Sequence, residues 1–248
     1  MTSRLRFILL YPFEDFLSGL EKSLKKASAF NIGLIFISFG VSWWIYVPIH
    51  ELGHAYGCIL GGGSVSRLEI SPLYGADILK EVFPFVSSGS EYAGQLTGFD
   101  TGGSDLIYLL TVFFPFLLTI FIGVPLLKSA ARSSPLSASV KLGFGIPMAF
   151  APFISFSGDY YEMGSIIFTR LASFLFPGFN ADRLRSDDVF RLTDELFFKG
   201  NPYGMTDVTG VIVSFILGII LIYVTYFTGV LWNRALFRIL HYKRPAQT

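Results

Sequence analysis

The sequence has little charge and few of the residues that usually build catalytic or disulfide-bonded sites. Asp, Glu, Lys and Arg make up 15% of its 248 residues, whereas a soluble domain averages about 25%. Apolar residues reach 52% and the mean hydropathy is +0.57. This composition predicts an integral membrane protein. The net charge of +1 leaves no basic excess for binding nucleic acid, so a nucleic-acid partner is not expected.

Cysteine and targeting signals are equally scarce. Cys58 is the only cysteine, so an intrachain disulfide is excluded and cysteine usage does not indicate a redox compartment. The early apolar stretch at residues 7–13 is short, runs into Glu14 and Asp15, and lacks a small-residue cleavage site. A cleavable signal peptide is therefore not expected.

Four apolar segments predict an all-α integral membrane protein with about four transmembrane helices. About 20 apolar residues are needed to cross the hydrocarbon layer as a helix. The candidate segments are residues 30–47 with the helix that continues them, 106–127, 142–154 followed by 166–176, and 210–232. After the first span, three glycines end the helix, and residues 64–73 alternate with β-branched character up to Pro72. We expect a short β-hairpin or re-entrant segment there.

Composition also divides the chain into four parts. In the polar segment, Ser186 is expected to cap a helix through Phe198 that has Val189, Leu192 and Leu196 on one face and lies on the surface outside the bilayer. The N-terminal part, residues 1–29, is expected to be an interfacial helix, or alternatively an embedded first turn of the following span. The parts are the N-terminal helix at 1–29, a membrane core at 30–176, a polar connecting segment at 177–209, and a final transmembrane helix with a basic tail at 210–248.

The strongest motif is His50-Glu51-Leu52-Gly53-His54, which ends the first apolar segment. Residues four apart share a helix face, so His50 and His54 can bind one ion while Glu51 reaches a water on it. In H-E-x-x-H the two histidines bind zinc and the glutamate acts as general base. The alternative is two buried histidines and a glutamate satisfied by neighbours. Ionisable residues in apolar segments are costly and usually functional, which favours the zinc site.

Two histidines leave a catalytic zinc one protein ligand short. Asp159 is the favoured third ligand, with Glu162 supporting it or replacing it, because both interrupt the third apolar segment and lie three apart, where one helix face could present both. The alternative places both acids outside the bilayer at a helix end. His241 lies in the basic tail and is a poor candidate. Cys58 shares the metal-facing stripe but is expected to be a small buried residue rather than a ligand.

These features resemble the site-2 protease family of intramembrane zinc metalloproteases. The resemblance rests on HELGH in an apolar helix, the following GGGSVSRLEISPLYGA and an acidic residue in a later span, and it covers residues 30–165. It implies that His50, His54 and Asp159 bind Zn²⁺ and that Glu51 activates water. In the family a glycine follows the third-ligand aspartate, whereas here Tyr160 follows it. Membrane proteases that trim prenylated proteins use a glutamate as third ligand, so Glu162 stays an alternative third ligand here.

The expected function is hydrolysis of a peptide bond in a membrane-embedded protein or peptide by a zinc-dependent endopeptidase. A substrate strand would be held by β-addition at a strand-like edge formed by residues 65–70. The competing prediction is a non-proteolytic metal-binding membrane scaffold or an inactive protease relative, against which an intact Glu51 argues, since a structural site needs no base. The expected location is multi-pass in the plasma membrane, with the lipid bilayer as a partner. The sequence does not predict an oligomeric state.

Overall fold

The structure is a computed structural model that describes residues 3–25, 28–176, 179–199 and 203–242. Within these ranges, side chains are described from residue 6 to residue 239. It is mostly helical, with one small sheet. The elements in chain order are α1 (Ser3–Leu24), α2 (Ala29–Gly61), β1 (Ser64–Ile70), α3 (Ala76–Val82), β2 (Val86–Ser88), β3 (Gly94–Asp100), α4 (Asp105–Phe113), α5 (Val124–Ala130), α6 (Pro135–Ile154), α7 (Asp159–Leu175), α8 (Val189–Phe197) and α9 (Met205–Tyr242).

Four helical stretches are long and apolar enough to cross a membrane, by length and composition. Their number agrees with the four predicted spans, and it indicates a multi-pass membrane protein. The third stretch is broken between α6 and α7 at residues 155–158, where small residues interrupt the apolar pattern. The stretches are Ala29–Gly61, Asp105–Ala130, Pro135–Leu175 and Met205–Ile239.

The β segment after α2 is a three-stranded sheet in the order β2-β1-β3, not the predicted hairpin. β1 pairs antiparallel with β3 and parallel with β2, because residues 76–88 place a helix and a strand between the antiparallel partners. β1 is therefore the central strand, and the prediction that residues 65–70 form an edge is wrong. Leu68 and Ile70 of β1 are fully buried against Leu52 and Ala55 of α2, so the sheet packs directly on the motif helix.

The chain forms two compact units, and the first comprises Met1–Val47, Phe116–Ala151 and Tyr223–Thr248. Within its described part, α1 is a helix separate from α2 and is held by a partly buried ion pair. Lys128 Nζ lies 2.9 Å from both carboxylate oxygens of Asp15 and 3.1 Å from the Tyr11 hydroxyl. Tyr226 donates a further hydrogen bond of 3.0 Å to Asp15. These contacts join α1, α5 and α9.

The second unit comprises Pro48–Pro115 and Pro152–Ile222, and it contains the H-E-x-x-H motif, the sheet, α4, α7 and α8. Glycines let its helices approach closely. A Cβ at Gly57 of α2 would clash with the Leu110 carbonyl oxygen of α4, and one at Gly218 of α9 would lie 2.6 Å from the Tyr160 carbonyl oxygen of α7. Small residues of this kind allow tight helix packing in apolar surroundings. The helix that carries the motif, α2, therefore packs closely against α4.

The polar segment contains the predicted helix, but its start differs. Asp188 is the N-cap, since its carboxylate accepts hydrogen bonds from the backbone N–H groups of Phe190 and Arg191 at 2.8 and 3.2 Å. Ser186 instead bonds the backbone of Asp188 and supports the cap from outside the helix. The prediction that Ser186 caps the helix is therefore wrong by two residues. The predicted shared face of Val189, Leu192 and Leu196 is confirmed, and the structure buries all three residues.

Candidate metal centre

His50 and His54 lie one turn apart on α2, with their Nε2 atoms 3.2 Å from each other. Asp159, the first residue of α7, faces both. Its Oδ2 is 3.6 Å from His50 Nε2 and its Oδ1 is 3.7 Å from His54 Nε2. Tetrahedral ligands about 2.0–2.1 Å from a zinc ion are roughly 3.3 Å from one another. The three side chains therefore fit a single ion of this size, and they form the one such group among the described residues.

Hydrogen bonds orient these side chains toward a common point. His54 Nδ1 is 2.9 Å from the backbone carbonyl oxygen of Thr111 on α4. Because a carbonyl can only accept, Nδ1 carries the proton and Nε2 keeps its lone pair for a metal. Ser155 Oγ donates a hydrogen bond of 2.6 Å to Asp159 Oδ2. Such partners fix the orientation of a ligand and raise its affinity for the ion.

Asp159 reaches the histidines because the third apolar stretch breaks just before it. The turn at 155–158 is closed by hydrogen bonds from the backbone N–H groups of Gly158 and Tyr160 to the Ser155 carbonyl. It is also tied to the polar segment, since the Val189 N–H bonds the Ser157 carbonyl at 2.9 Å. The turn starts α7 at Asp159, where the positive end of the helix dipole favours a carboxylate.

Glu51 lies beside the histidines and faces β3. A Cβ added at Gly94, the first residue of β3, would clash with Glu51 Cγ and lie 2.8 Å from its Cδ. Only glycine at this position leaves room for the glutamate side chain. The strand therefore covers Glu51 and limits where its carboxylate can point. Sequence reasoning missed Gly94, because nothing local in the chain links it to a residue 43 positions earlier.

Glu162 and Cys58 lie outside the group that could hold the ion. Glu162 is buried on α7, and its Oε1 accepts a hydrogen bond from the Tyr108 hydroxyl of α4. Cys58 is buried, as predicted, and its Sγ lies 3.5 Å from the Ser64 carbonyl. The His241 side chain lies outside those described. Asp159 is therefore the acid that the structure brings to the two histidines.

A cavity of about 760 Å³ connects these groups with the polar segment. The sequence did not place that segment at the site. It is fastened by Arg185, whose Nη2 is 2.8 Å from Asp105 Oδ1 and whose Nε is 3.1 Å from Thr169 Oγ1. Residues of the segment that line the cavity are Asp182, Arg183, Arg185, Ser186, Asp187, Arg191, Leu192, Glu195 and Leu196.

Comparisons of the chain with protein-family models, with curated proteins and with solved structures found no match. The resemblance to site-2 proteases therefore stays a prediction that rests on the motif residues. What the structure adds is independent of it: two histidines and one aspartate from separate helices can hold a metal ion, and a glutamate lies next to them.

Proposed function

We propose that this protein is a zinc-dependent intramembrane endopeptidase of the site-2 protease type, located in the plasma membrane. The observation that supports the proposal is the grouping of His50, His54 and Asp159 within 4.8 Å, with Glu51 lining the same cavity. Catalytic zinc sites have three protein ligands and keep a fourth position open, whereas structural sites are closed by four. Among the described residues the group offers three ligands, which favours catalysis over a purely structural role.

The four side chains have distinct roles in this proposal. His50, His54 and Asp159 would hold the ion, which when bound polarises the scissile carbonyl and makes a water more acidic. Glu51 takes a proton from the water as the water oxygen attacks the carbonyl carbon. The peptide C–N bond then breaks, and Glu51 passes the proton to the departing nitrogen. Water is thus added across one peptide bond without any other reactant.

A transmembrane substrate must expose its peptide bond, because a helix hides its carbonyl groups in hydrogen bonds. The free edge of β3 is suited to hold such an unwound strand. The backbone N–H of Leu68 in β1 bonds Phe85, on the side away from β3. On β3, Leu96 lies opposite Leu68, and Gly94 lies opposite Ile70. Both pairs are therefore non-hydrogen-bonded pairs of the antiparallel ladder. The backbone N–H and C=O groups of Leu96 and Gly94 then point away from β1, toward the open edge. Both residues line the cavity.

Leu96→Pro is expected to weaken substrate use without loss of metal. Proline removes one outward backbone donor, and it is tolerated on an edge strand where that donor makes no bond within the sheet. A single hydrogen bond is worth about 0.5–1.5 kcal/mol, so kcat/KM should fall roughly two- to tenfold. Leu96→Ala shortens the side chain but keeps the donor, and it is the matched control. Equal losses in both variants would mean that the backbone donor does not bind substrate.

Metal removal tests the proposed function directly. Purified full-length protein in proteoliposomes should cleave a co-reconstituted single-span reporter protein, lose that activity after treatment with 1,10-phenanthroline, and regain it when Zn²⁺ is restored. The bilayer gives both the protein and the reporter the membrane environment in which cleavage is proposed to occur. Cleavage that survives complete removal of metal would refute the proposal. Stoichiometric metal binding without cleavage of any reporter would favour the competing scaffold or inactive relative.

A further inference from the structure

Glu162 is a buried carboxylate to which the proposed reaction assigns no role. Its side chain is 7% exposed and lines the cavity, and its Oε1 accepts the hydrogen bond from the Tyr108 hydroxyl. The Tyr108 ring is itself packed against Phe99 of β3, with 5.7 Å between ring centroids. The bond therefore connects two helices, α4 and α7, at the wall of the metal centre.

These two helices each carry one determinant of the metal geometry. On α4, Thr111 lies three residues after Tyr108, and its carbonyl orients His54. On α7, Asp159 lies three residues before Glu162 and faces both histidines. Residues three apart are neighbours on a helix surface. The hydrogen bond between Tyr108 and Glu162 thus fixes the spacing of α4 and α7. It does so one helical turn away from Thr111 and Asp159, where the same spacing sets the distance between Asp159 and His54.

We infer that Tyr108 and Glu162 form a positioning pair that holds Asp159 where it and His54 can bind the same ion, without either residue of the pair binding that ion. The other support of Asp159 is the four-residue turn at 155–158, a short irregular stretch of chain that can relax more easily than a packed helix pair. The inference rests on the proposed metal centre and concerns its affinity for the ion. Loss of a group bonded directly to a ligand lowers metal affinity about 10- to 100-fold, and a pair that acts one helical turn away should have a smaller effect.

The test is Tyr108→Phe, which removes one hydroxyl and keeps the ring. Zinc affinity is measured on the detergent-solubilised full-length protein by competition with a chromophoric chelator, and geometry by the visible absorption of the Co²⁺-loaded protein. We expect zinc binding to weaken by up to about 10-fold, the lower end of the range for a direct partner of a ligand. We also expect weaker and shifted Co²⁺ bands, because Asp159 no longer completes a regular tetrahedral set. Glu162→Gln, which still offers Tyr108 a carbonyl oxygen, should stay near wild type.

Tyr161→Phe is the matched control. Tyr161 is a buried tyrosine on α7, the helix of Glu162, and its hydroxyl donates to the Leu184 carbonyl at 3.1 Å; neither Tyr161 nor Leu184 lines the cavity. Tyr161→Phe also removes one hydrogen bond of a tyrosine hydroxyl, yet it should leave zinc affinity and the Co²⁺ spectrum unchanged. A spectral change in Tyr108→Phe alone therefore separates positioning from general destabilisation.

Three results would overturn the inference. Wild-type zinc affinity and Co²⁺ spectrum in Tyr108→Phe would show that the bond positions nothing. An equal loss in Tyr161→Phe would assign the effect to stability. A loss of metal in Glu162→Gln would make Glu162 a ligand. None of these measurements uses cleavage, so the positioning pair can hold even if the protein proves not to be a peptidase. A wild-type protein without metal affinity would overturn both proposals.

Discussion

Glu51→Gln is expected to slow cleavage by about 10²- to 10⁴-fold while one metal ion stays bound to each chain. Glutamine has the size of glutamate but cannot take a proton from water, and general base catalysis contributes about 10²- to 10⁴-fold to rate. The tight fit against Gly94 makes the isosteric change important, because a shorter or bulkier side chain would also disturb the strand. Single-turnover cleavage of the reporter in proteoliposomes, with metal content measured on the same preparation, gives both quantities.

The control for this variant is Glu81→Gln on α3, an exposed glutamate that does not line the cavity. It should cleave the reporter at the wild-type rate. The ligand set of His50, His54 and Asp159 is unchanged in both variants, so metal content should also be the same. Cleavage at the wild-type rate in Glu51→Gln would remove the proposed mechanism. Loss of metal along with activity would instead place Glu51 among the ligands.

The local part of this site could be predicted from the sequence because its geometry is local. His50 and His54 are one helical turn apart, and the apolar segment that ends in the motif predicts a helix that places both imidazoles on one face. Asp159 was also predictable, since an acid that breaks an apolar span needs a partner. Four long apolar segments likewise give four candidate spans, because the length needed to cross a membrane is a property of each segment alone.

The non-local part could not be predicted, since it depends on pairings between distant segments. β2 has only three residues and no periodic signal, yet its parallel pairing with β1 makes β1 the central strand and moves the free edge to β3. The polar segment reaches the cavity through Arg185 and Asp105, which are 80 residues apart. Charge alone offers many such pairs, and a sequence does not choose among them.

Two individual residues show how local rules leave competing outcomes. Ser186 and Asp188 are both good N-cap residues, and the structure uses Asp188 because its carboxylate reaches two backbone N–H groups while Ser186 bonds the backbone of the cap itself. Tyr108 stands near the start of an apolar span, where tyrosine usually marks a membrane interface. Its bond to Glu162 depends on how α4 and α7 pack, which no pattern in either helix encodes.

Asp159→Asn is expected to remove the metal, and with it all cleavage. The amide keeps the shape of the carboxylate and can still accept a hydrogen bond from Ser155, so the turn and the start of α7 should be preserved. It lacks the negative charge that a zinc ligand supplies. Zinc affinity should fall by more than the roughly 10- to 100-fold expected when an outer partner is lost. Ser155→Ala removes only the support of Oδ2 and should fall within that smaller range.

The control is Asp187→Asn, the same chemical change at another acid that lines the cavity but lies outside the group that could hold the ion. It should bind zinc as the wild type does. Wild-type zinc affinity in Asp159→Asn would mean that the acid does not ligate, which is the outcome required by the alternative in which both acids lie outside the bilayer at a helix end. Because Asp159→Asn should lose the ion and Glu51→Gln should keep it, the two variants separate the holding of the metal from the transfer of the proton.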